Sequence, residues 1–234
     1  MDHDHKILLI TVYISLVVQF VAGVVQLHGL FLEYDEEKTV LRDILWIETL
    51  VQFVELMFYV YIVKALHYLK LNEVTKRRYV DWMITTPAML LSTMLYFKYK
   101  KTQENFDEET MQTKTRENVR LGTFLKENGG TVARIVIWNG LMLLFGYLGE
   151  SRMMNATMAN VIGFVFFGIA FYEIYKEFVT ESTKIIYGIL CFIWAMYGAV
   201  YFLPDLQKNI GYNLLDIFSK NFYGLFIYYK ILKT

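Results

Sequence analysis

The sequence predicts an all-α membrane protein with seven transmembrane helices. Hydrophobic residues make up 56% of its 234 residues, and only two prolines occur. This apolar fraction exceeds that of ordinary soluble domains. Seven apolar segments, named helices A to G, are long enough to cross a bilayer at about 1.5 Å per residue. Their approximate limits are residues 7–30, 44–67, 79–99, 131–149, 154–176, 184–203 and 210–231, within a single domain of residues 1–234.

The basic residues are distributed unevenly between the two sides of the predicted bundle. The A–B, C–D and E–F connections and the C-terminus carry most of the lysines and arginines. The positive-inside rule then places the N-terminus outside and the C-terminus in the cytoplasm. The long C–D connection supplies most of this bias, and we expect a short surface helix in it from about Arg116 to Lys126.

Overall charge and cysteine content exclude some classes of protein. The net charge is zero, so the sequence has no basic signature for nucleic-acid binding. The single cysteine rules out a disulfide framework. We expect a multi-pass integral membrane protein in contact with the lipid bilayer, without a metal site and without enzymatic activity.

Helices A and B each carry a polar stripe on an otherwise apolar helix. The helix A stripe has a spacing of four residues and consists of Thr11, Ser15 and Gln19. The helix B stripe has the spacing i, i+4, i+7 and consists of Glu48, Gln52 and Glu55. One interpretation is a set of hydrogen bonds that hold helices together, with protonated carboxyls. The other is a hydrated ion path, which intramembrane carboxyls favour.

Helix G contains a lysine near its middle, Lys220. A bare ammonium at that depth costs at least a few kcal/mol, and its side chain is too short to reach either interface. Pairing with a buried carboxylate would lower this cost, and Asp216 lies one turn earlier on the same face. Conversion to a Schiff base with an aldehyde would also lower it. The helix alone does not distinguish the two.

Helix C begins with RRYVDWMITTPAMLLSTM, which resembles the microbial (type 1) rhodopsin signature R-Y-x-D-W-x-x-T-T-P at seven positions. Helix G matches the family pattern D-x-x-x-K with Asp216 and Lys220, and helix F matches W-x-x-Y with Trp194 and Tyr197. Gly140, Met142 and Gly146 of helix D fit the family's contacts with the retinal ring. The combination Asp81, Thr85 and Ser92 resembles the viral rhodopsins of giant marine viruses.

The resemblance implies a microbial-rhodopsin-like bundle that holds all-trans retinal on Lys220 as a protonated Schiff base. Asp81 and Asp216 are then the counterions and proton acceptors, supported by Arg78 and by a hydrogen bond from Thr85 to the Asp81 carboxylate. Ser92 occupies the position where outward pumps place a proton-donating carboxylic acid. The implied retinal pocket consists of Trp82, Thr86, Met89, Met142, Gly146, Trp194 and Tyr197.

We expect a photoreceptor that moves ions across a membrane, most readily as a light-gated cation channel. The expected path runs along helices A, B and G and consists of Ser15, Gln19, Glu48, Glu55 and Asn213. Glu55 is expected to belong to this path and not to the Schiff-base site. The alternatives are an outward proton pump and a photosensor with a protein partner. A homo-oligomer stays open, and a viral origin would imply a membrane of the infected host cell.

Overall fold

Seven helical rods form the structure, a computed structural model that describes residues 3–33, 39–109 and 119–233. The first six are α1 His3–Leu30, α2 Thr39–Ala65, α3 Leu71–Glu109, α4 Leu121–Glu150, α5 Ala156–Phe178 and α6 Lys184–Val200. The seventh rod is continuous and consists of α7 Asp205–Asp216, a π-helical turn Ile217–Asn221 and α8 Phe222–Leu232. A short 3₁₀ turn, Glu181–Thr183, precedes α6. The described residues contain no strand, which confirms the predicted all-α fold with seven helices.

The helices pack mainly against their neighbours in sequence. The seventh rod closes the bundle by packing between α1 and α6. It contacts α1, α2, α3 and α6. An odd number of crossings places the two termini at opposite ends. We call the end where α1 begins the N-terminal side and the other the C-terminal side. Which of them faces the cytoplasm stays a prediction from the charge distribution.

Five helices in the described part of the chain are long and apolar enough to cross a membrane by length and composition. They are Lys6–Leu30, Thr39–Ala65, Leu121–Glu150, Ala156–Phe178 and Glu181–Val200. The middle of α3 is too polar to qualify because Asp81, Thr85 and Ser92 lie within it. The π turn divides the seventh rod into shorter helices. The two rods that apolarity alone identifies least well are therefore those that carry the rhodopsin motifs.

The fourth helix begins earlier than the apolar pattern predicts. Residues 121–126, which we expected in a separate surface helix, form the first turns of α4, while residues 116–118 of that prediction lie outside the described residues. Asp43 of α2 stabilises this start, because its Oδ2 accepts a hydrogen bond from the Leu121 backbone N–H at 3.2 Å. Such a side-chain acceptor satisfies one of the free N–H groups at a helix N-terminus.

The bundle buries polar side chains and exposes apolar ones. On α1, Val17 and Phe20 are more than half exposed, whereas Ser15 and Gln19 are fully buried. On α2, Phe53 is exposed, whereas the neighbouring Gln52 is buried. This arrangement suits a lipid environment, where polar groups must find partners inside the bundle. The buried polar groups of α1, α2, α3 and the seventh rod form the candidate site.

Candidate functional site

Lys220 lies within the π-helical turn of the seventh rod, near the middle of the bundle. Its side chain is 2% exposed. A π turn inserts an extra residue into the helical hydrogen-bond pattern and often marks functional positions. Here it changes the register of the rod after Asp216, so the spacing of these two residues in sequence does not by itself fix the distance between their charged groups.

Three carboxylates from three helices surround the Lys220 ammonium among the described residues. Its Nζ lies 2.7 Å from Asp81 Oδ2 of α3 and 3.7 Å from Asp216 Oδ1 of the same rod. It also donates a hydrogen bond to Glu55 Oε2 of α2. The expectation that Glu55 stands apart from this site is wrong. Its position four residues before Tyr59, on the face of α2 that packs against the seventh rod, brings it to Lys220.

Asp216 is the carboxylate with the largest number of donors in this group. Arg78 Nη1 pairs with Oδ2 at 3.1 Å, and the Tyr59 hydroxyl donates to the same oxygen at 2.9 Å. The Tyr197 hydroxyl donates to Oδ1 at 2.8 Å. In contrast, Asp81 Oδ1 and Glu55 Oε1 have no hydrogen-bond partner within the described protein. Asp216 is therefore held rigidly, while Asp81 and Glu55 each keep one oxygen available.

The two residues expected to support the counterions, Thr85 and Arg78, differ in what they contact. The Thr85 hydroxyl donates to the backbone carbonyl of Asp81 at 3.0 Å and not to its carboxylate. This bond to the preceding turn is a common alternative for threonine inside a helix. Arg78 contacts Asp216, and its Nη2 also donates to Asn213 Oδ1 at 2.5 Å. The predicted hydrogen bond from Thr85 to the carboxylate is thus wrong, and Arg78 acts on Asp216.

An apolar cavity extends from Lys220 between α3, α4, α5, α6 and the seventh rod. All seven predicted pocket residues line it, namely Trp82, Thr86, Met89, Met142, Gly146, Trp194 and Tyr197. Gly140 of the helix D motif is not among the lining residues. The lining residues that sequence reasoning missed include Tyr79, Gly163, Phe164, Gly198 and Tyr212. Aromatic and glycine residues on apolar helices carry no pattern that separates a pocket from ordinary packing.

The shape and chemistry of this cavity fit retinal, an apolar polyene with one aldehyde. Aromatic walls favour a flat polyene, and a single primary amine stands at one end. At Gly198, an added Cβ would lie 2.3 Å from the Phe164 ring, so the absence of a side chain lets that ring approach α6. At Gly146, an added Cβ would lie 2.8 Å from the Tyr79 hydroxyl. Both glycines thus allow aromatic side chains to form the wall.

On the C-terminal side, Ser92 and Glu48 form a second buried site. The Ser92 hydroxyl donates to Glu48 Oε1, and both residues are almost fully buried. Glu48 Oε2 has no partner among the described residues. The donor position on α3 therefore lacks a carboxyl of its own but contacts one from α2. A single sequence does not reveal this pairing, since the two residues are 44 positions apart.

Of the remaining predicted path residues, Ser15 and Asn213 extend the site toward the N-terminal side. The Ser15 hydroxyl donates to the Asn213 backbone carbonyl at 3.1 Å, and Asn213 Nδ2 donates to Thr11 Oγ1 at 2.9 Å. Gln19 accepts hydrogen bonds from Gln52. Sequence reasoning missed the buried polar residues Gln26, Tyr59, Thr75 and Asn209. Gln26 and Tyr59 stand between apolar neighbours, whereas Thr75 and Asn209 stand beside the charged Lys76 and Lys208. Only their positions in the bundle show that they belong to this group.

Comparisons of sequence point to one family. A family profile described as bacteriorhodopsin-like protein matches residues 8–234. A green-light absorbing proteorhodopsin of Gamma-proteobacterium EBAC31A08 is 24% identical over 170 residues, which cover 64% of this chain. The match covers 59% of the length of that proteorhodopsin.

Comparisons of structure agree. The crystal structure of viral rhodopsin OLPVRII is similar with a TM-score of 0.80 and 29% identity, covering 97% of this chain and 98% of that chain. The blue light-absorbing proteorhodopsin from Med12 has a TM-score of 0.69 and 20% identity, covering 97% and 96%, which shows the fold alone. With the family profile matched over nearly the whole length, the chain belongs to the bacteriorhodopsin-like family, the microbial rhodopsins, whose members bind retinal through a Schiff base.

Proposed function

We propose that this protein is a photoreceptor that holds all-trans retinal covalently on Lys220 as a protonated Schiff base and conducts cations across a membrane in response to light. The N-terminal side is proposed to face outward, in line with the basic C-terminal side. Retinal, when bound, supplies absorption of visible light and a change of shape on isomerisation. The residues of the chain supply the charge balance, the proton acceptors and the route for ions.

The carboxylates at Lys220 divide into a fixed and an adaptable group. Asp216 is held by Arg78, Tyr59 and Tyr197, so its charge supports the cation at the lysine nitrogen without moving. Asp81 has one contact to that nitrogen and one free oxygen. Its Oδ2, at 2.7 Å, is the better placed of the two aspartates to accept a proton from Lys220 Nζ.

The observation that best supports a channel is one polar face that continues along α2. Glu48, Gln52, Glu55 and Tyr59 are spaced by four, three and four residues, which keeps them on one face for roughly 16 Å at 1.5 Å per residue. All four are buried. The residues that contact them from α1 and the seventh rod are Gln19, Gln26, Asn213 and Lys220.

Unpaired polar atoms favour a hydrated path over simple contacts between helices. Gln19 Nε2, Gln26 Oε1, Glu48 Oε2 and Glu55 Oε1 are buried and lack a hydrogen-bond partner in the part of the chain that the structure describes. Buried polar groups normally find partners in protein or water. Four unpaired atoms near one helix face would bind water molecules once the path widens, and carboxyl oxygens can replace part of a cation's water shell.

The photocurrent of the illuminated protein under voltage clamp tests this function. A channel's current reverses at the voltage that balances the cation gradient. Moving one charge across 100 mV of membrane voltage corresponds to about 2.3 kcal/mol. We expect the reversal voltage to follow the cation in the bath. Glu55→Ala should decrease the current or change which cations pass. A current that stays outward at every voltage and ignores the bath cation would contradict the channel.

The contact between Glu48 and Ser92 favours a second candidate, an outward proton pump. A buried carboxyl at the donor position could return a proton toward Lys220 from the C-terminal side. A pump predicts current at zero voltage in symmetric solutions, and Glu48→Gln should then slow recovery of the dark state. In the channel, Glu48→Gln should change the reversal voltage instead. Ser92→Asp gives an independent check, since an unchanged photocycle would remove that position from any proton route.

A further inference from the structure

We propose that three buried glutamines, Gln19, Gln26 and Gln52, form an ion-selective gate between the Lys220 site and the Glu48 site. We call them the glutamine cluster. The inference deepens the proposed channel and rests on it, because it assigns the barrier and the selectivity of that path to particular side chains. These glutamines belong neither to the retinal cavity nor to the contact between the Glu48 carboxyl and Ser92.

The cluster is fully inside the bundle and internally connected. Gln19 and Gln26 are 0% exposed, and Gln52 is 2% exposed. Gln52 Nε2 donates to the Gln19 backbone carbonyl at 3.0 Å and to its side-chain Oε1. Gln26 Nε2 donates to Gln52 Oε1 at 3.4 Å. Three amides from α1 and α2 are thus linked across the helix interface.

Its position along α2 separates the two acidic sites. Gln52 lies four residues after Glu48 and three residues before Glu55, on the same face. Glu48 contacts Ser92, and Glu55 contacts Lys220. An ion that moves along this face from one carboxyl to the other must therefore pass Gln52. Because an amide does not ionise in the physiological range, the cluster can coordinate a cation but cannot store a proton.

Close packing shows that the path is closed here. A Cβ added to Gly224 of α8 would lie 2.3 Å from Gln26 Nε2, and a Cβ added to Gly23 would lie 3.3 Å from Gln52 Cγ. The backbone of α8 therefore packs directly against the Gln26 amide, and the backbone of α1 packs against the Gln52 side chain. Gly224 is four residues beyond Lys220 on the same rod. A displacement of the rod at Lys220 would move the surface on which Gln26 rests, which couples the retinal site to the gate.

Unused hydrogen-bonding capacity indicates a ligand for the open state. The Gln26 Oε1 acceptor and the Gln19 Nε2 donor are buried without partners in the described ranges. A cluster that served only to join helices would gain by pairing both groups or by replacing the amides with apolar side chains. One free amide oxygen and one free amide N–H, next to a path between carboxyls, suit a hydrated monovalent cation.

Leucine substitutions at Gln26 and Gln52 test the gate, with photocurrent under voltage clamp in sodium, potassium and acidic baths as the measurement. We expect Gln52→Leu to decrease the cation current roughly tenfold, the factor that corresponds to about 1.4 kcal/mol in the barrier. Gln207→Leu, the same change at an exposed position of α7, is the matched control and should conduct like the wild type. Visible absorption of each variant should stay at its wild-type wavelength.

If a leucine variant fails to fold, asparagine variants, which have shorter amide side chains, test the same gate. Gln26→Asn and Gln52→Asn keep the chemistry but withdraw the amide, and we expect them to shift the reversal voltage between sodium and potassium. Gly224→Ala should change the rate at which the current rises, because it displaces Gln26. If the wild type conducts while the leucine or asparagine variants keep its amplitude and reversal voltage, the cluster is not the gate. A wild type without a reversing current would overturn the channel itself and the gate with it.

Discussion

The seventh rod carries two buried lysines, and their surroundings differ in the number of buried carboxylates. Lys208, near the start of α7, pairs with Glu150 of α4 at 2.6 Å, and its Nζ lies 5.3 Å from the centre of the Tyr201 ring. Asp205 is 4.0 Å away and about half exposed. Lys220 instead faces Glu55, Asp81 and Asp216, with Arg78 on the far side of the last.

The comparison separates a structural ion pair from a site arranged for chemistry. Lys208 has a single buried carboxylate among the described residues, so its charge is balanced where it stands. At Lys220, three carboxylates face two cations, and this lysine alone lines the cavity. An excess of acid groups beside a lysine is costly in a dry interior, and it suits a nitrogen whose charge and proton must be controlled.

Replacing each of the two lysines with alanine should give the largest difference, which is measured in visible absorption. Lys220→Ala should leave the protein colourless even with excess retinal, because no amine remains at the end of the cavity. Lys208→Ala is the matched control and should keep its visible band, since Lys208 does not line the cavity. Absorption spectra of both purified variants decide the point. Visible absorption at wild-type strength in Lys220→Ala would show that the attachment lies elsewhere.

Neutralising Asp81 should change the colour. A carboxylate stabilises the cation at Lys220 more in the ground state than after excitation moves charge along the polyene. Asp81→Asn should therefore shift the absorption band to longer wavelength and block transfer of the proton from the lysine nitrogen. Glu150→Gln removes the carboxylate at Lys208 and should leave the wavelength unchanged. If the Asp81 variant keeps the wild-type spectrum, Asp216 is the principal partner.

Glu55 should have a smaller influence of the same sign. Its contact with Lys220 means that Glu55→Gln weakens the stabilisation of the cation, so we expect a shift to longer wavelength that is smaller than that of Asp81→Asn. Gln keeps the size of the side chain and one hydrogen-bonding oxygen. The two variants are compared by absorption spectroscopy at one pH. A changed photocurrent with an unchanged spectrum would show that Glu55 acts on the ion path and not on the cation at Lys220.

The pair at Lys208 should affect stability and not colour. Removing one partner of a buried ion pair costs roughly 3–5 kcal/mol, whereas replacing both with apolar residues costs little. Glu150→Gln should therefore lower the temperature at which the visible band is lost, and the double variant Glu150→Leu with Lys208→Met should recover much of it. Equal losses in the single and double variants would show that the pair is not what joins α4 to α7.

Much of the site could be predicted from residues within a single helix. The motifs of α3 and of the seventh rod identified Lys220, Asp81 and Asp216, and the structure places both aspartates within 3.7 Å of the Lys220 Nζ. Periodicity also identified the polar faces of α1 and α2. The polar faces and the pair of Asp216 with Lys220 could be predicted because spacing along one helix reports which side chains share a face. Asp81 as a partner of Lys220 was instead implied by the resemblance to the microbial rhodopsins.

The contacts of Arg78, Glu48 and Glu55 could not be predicted in the same way. Each depends on how far two helices are rotated and shifted relative to each other, which a repeat within one helix does not specify. A rotation by one residue, about 100°, would turn Glu55 from Lys220 toward another neighbour. The sequence by itself therefore determined the seven helices, the lysine and the polar faces. Only the tertiary structure decided that three carboxylates meet at that lysine, because helix packing sets the distances between charges on different helices.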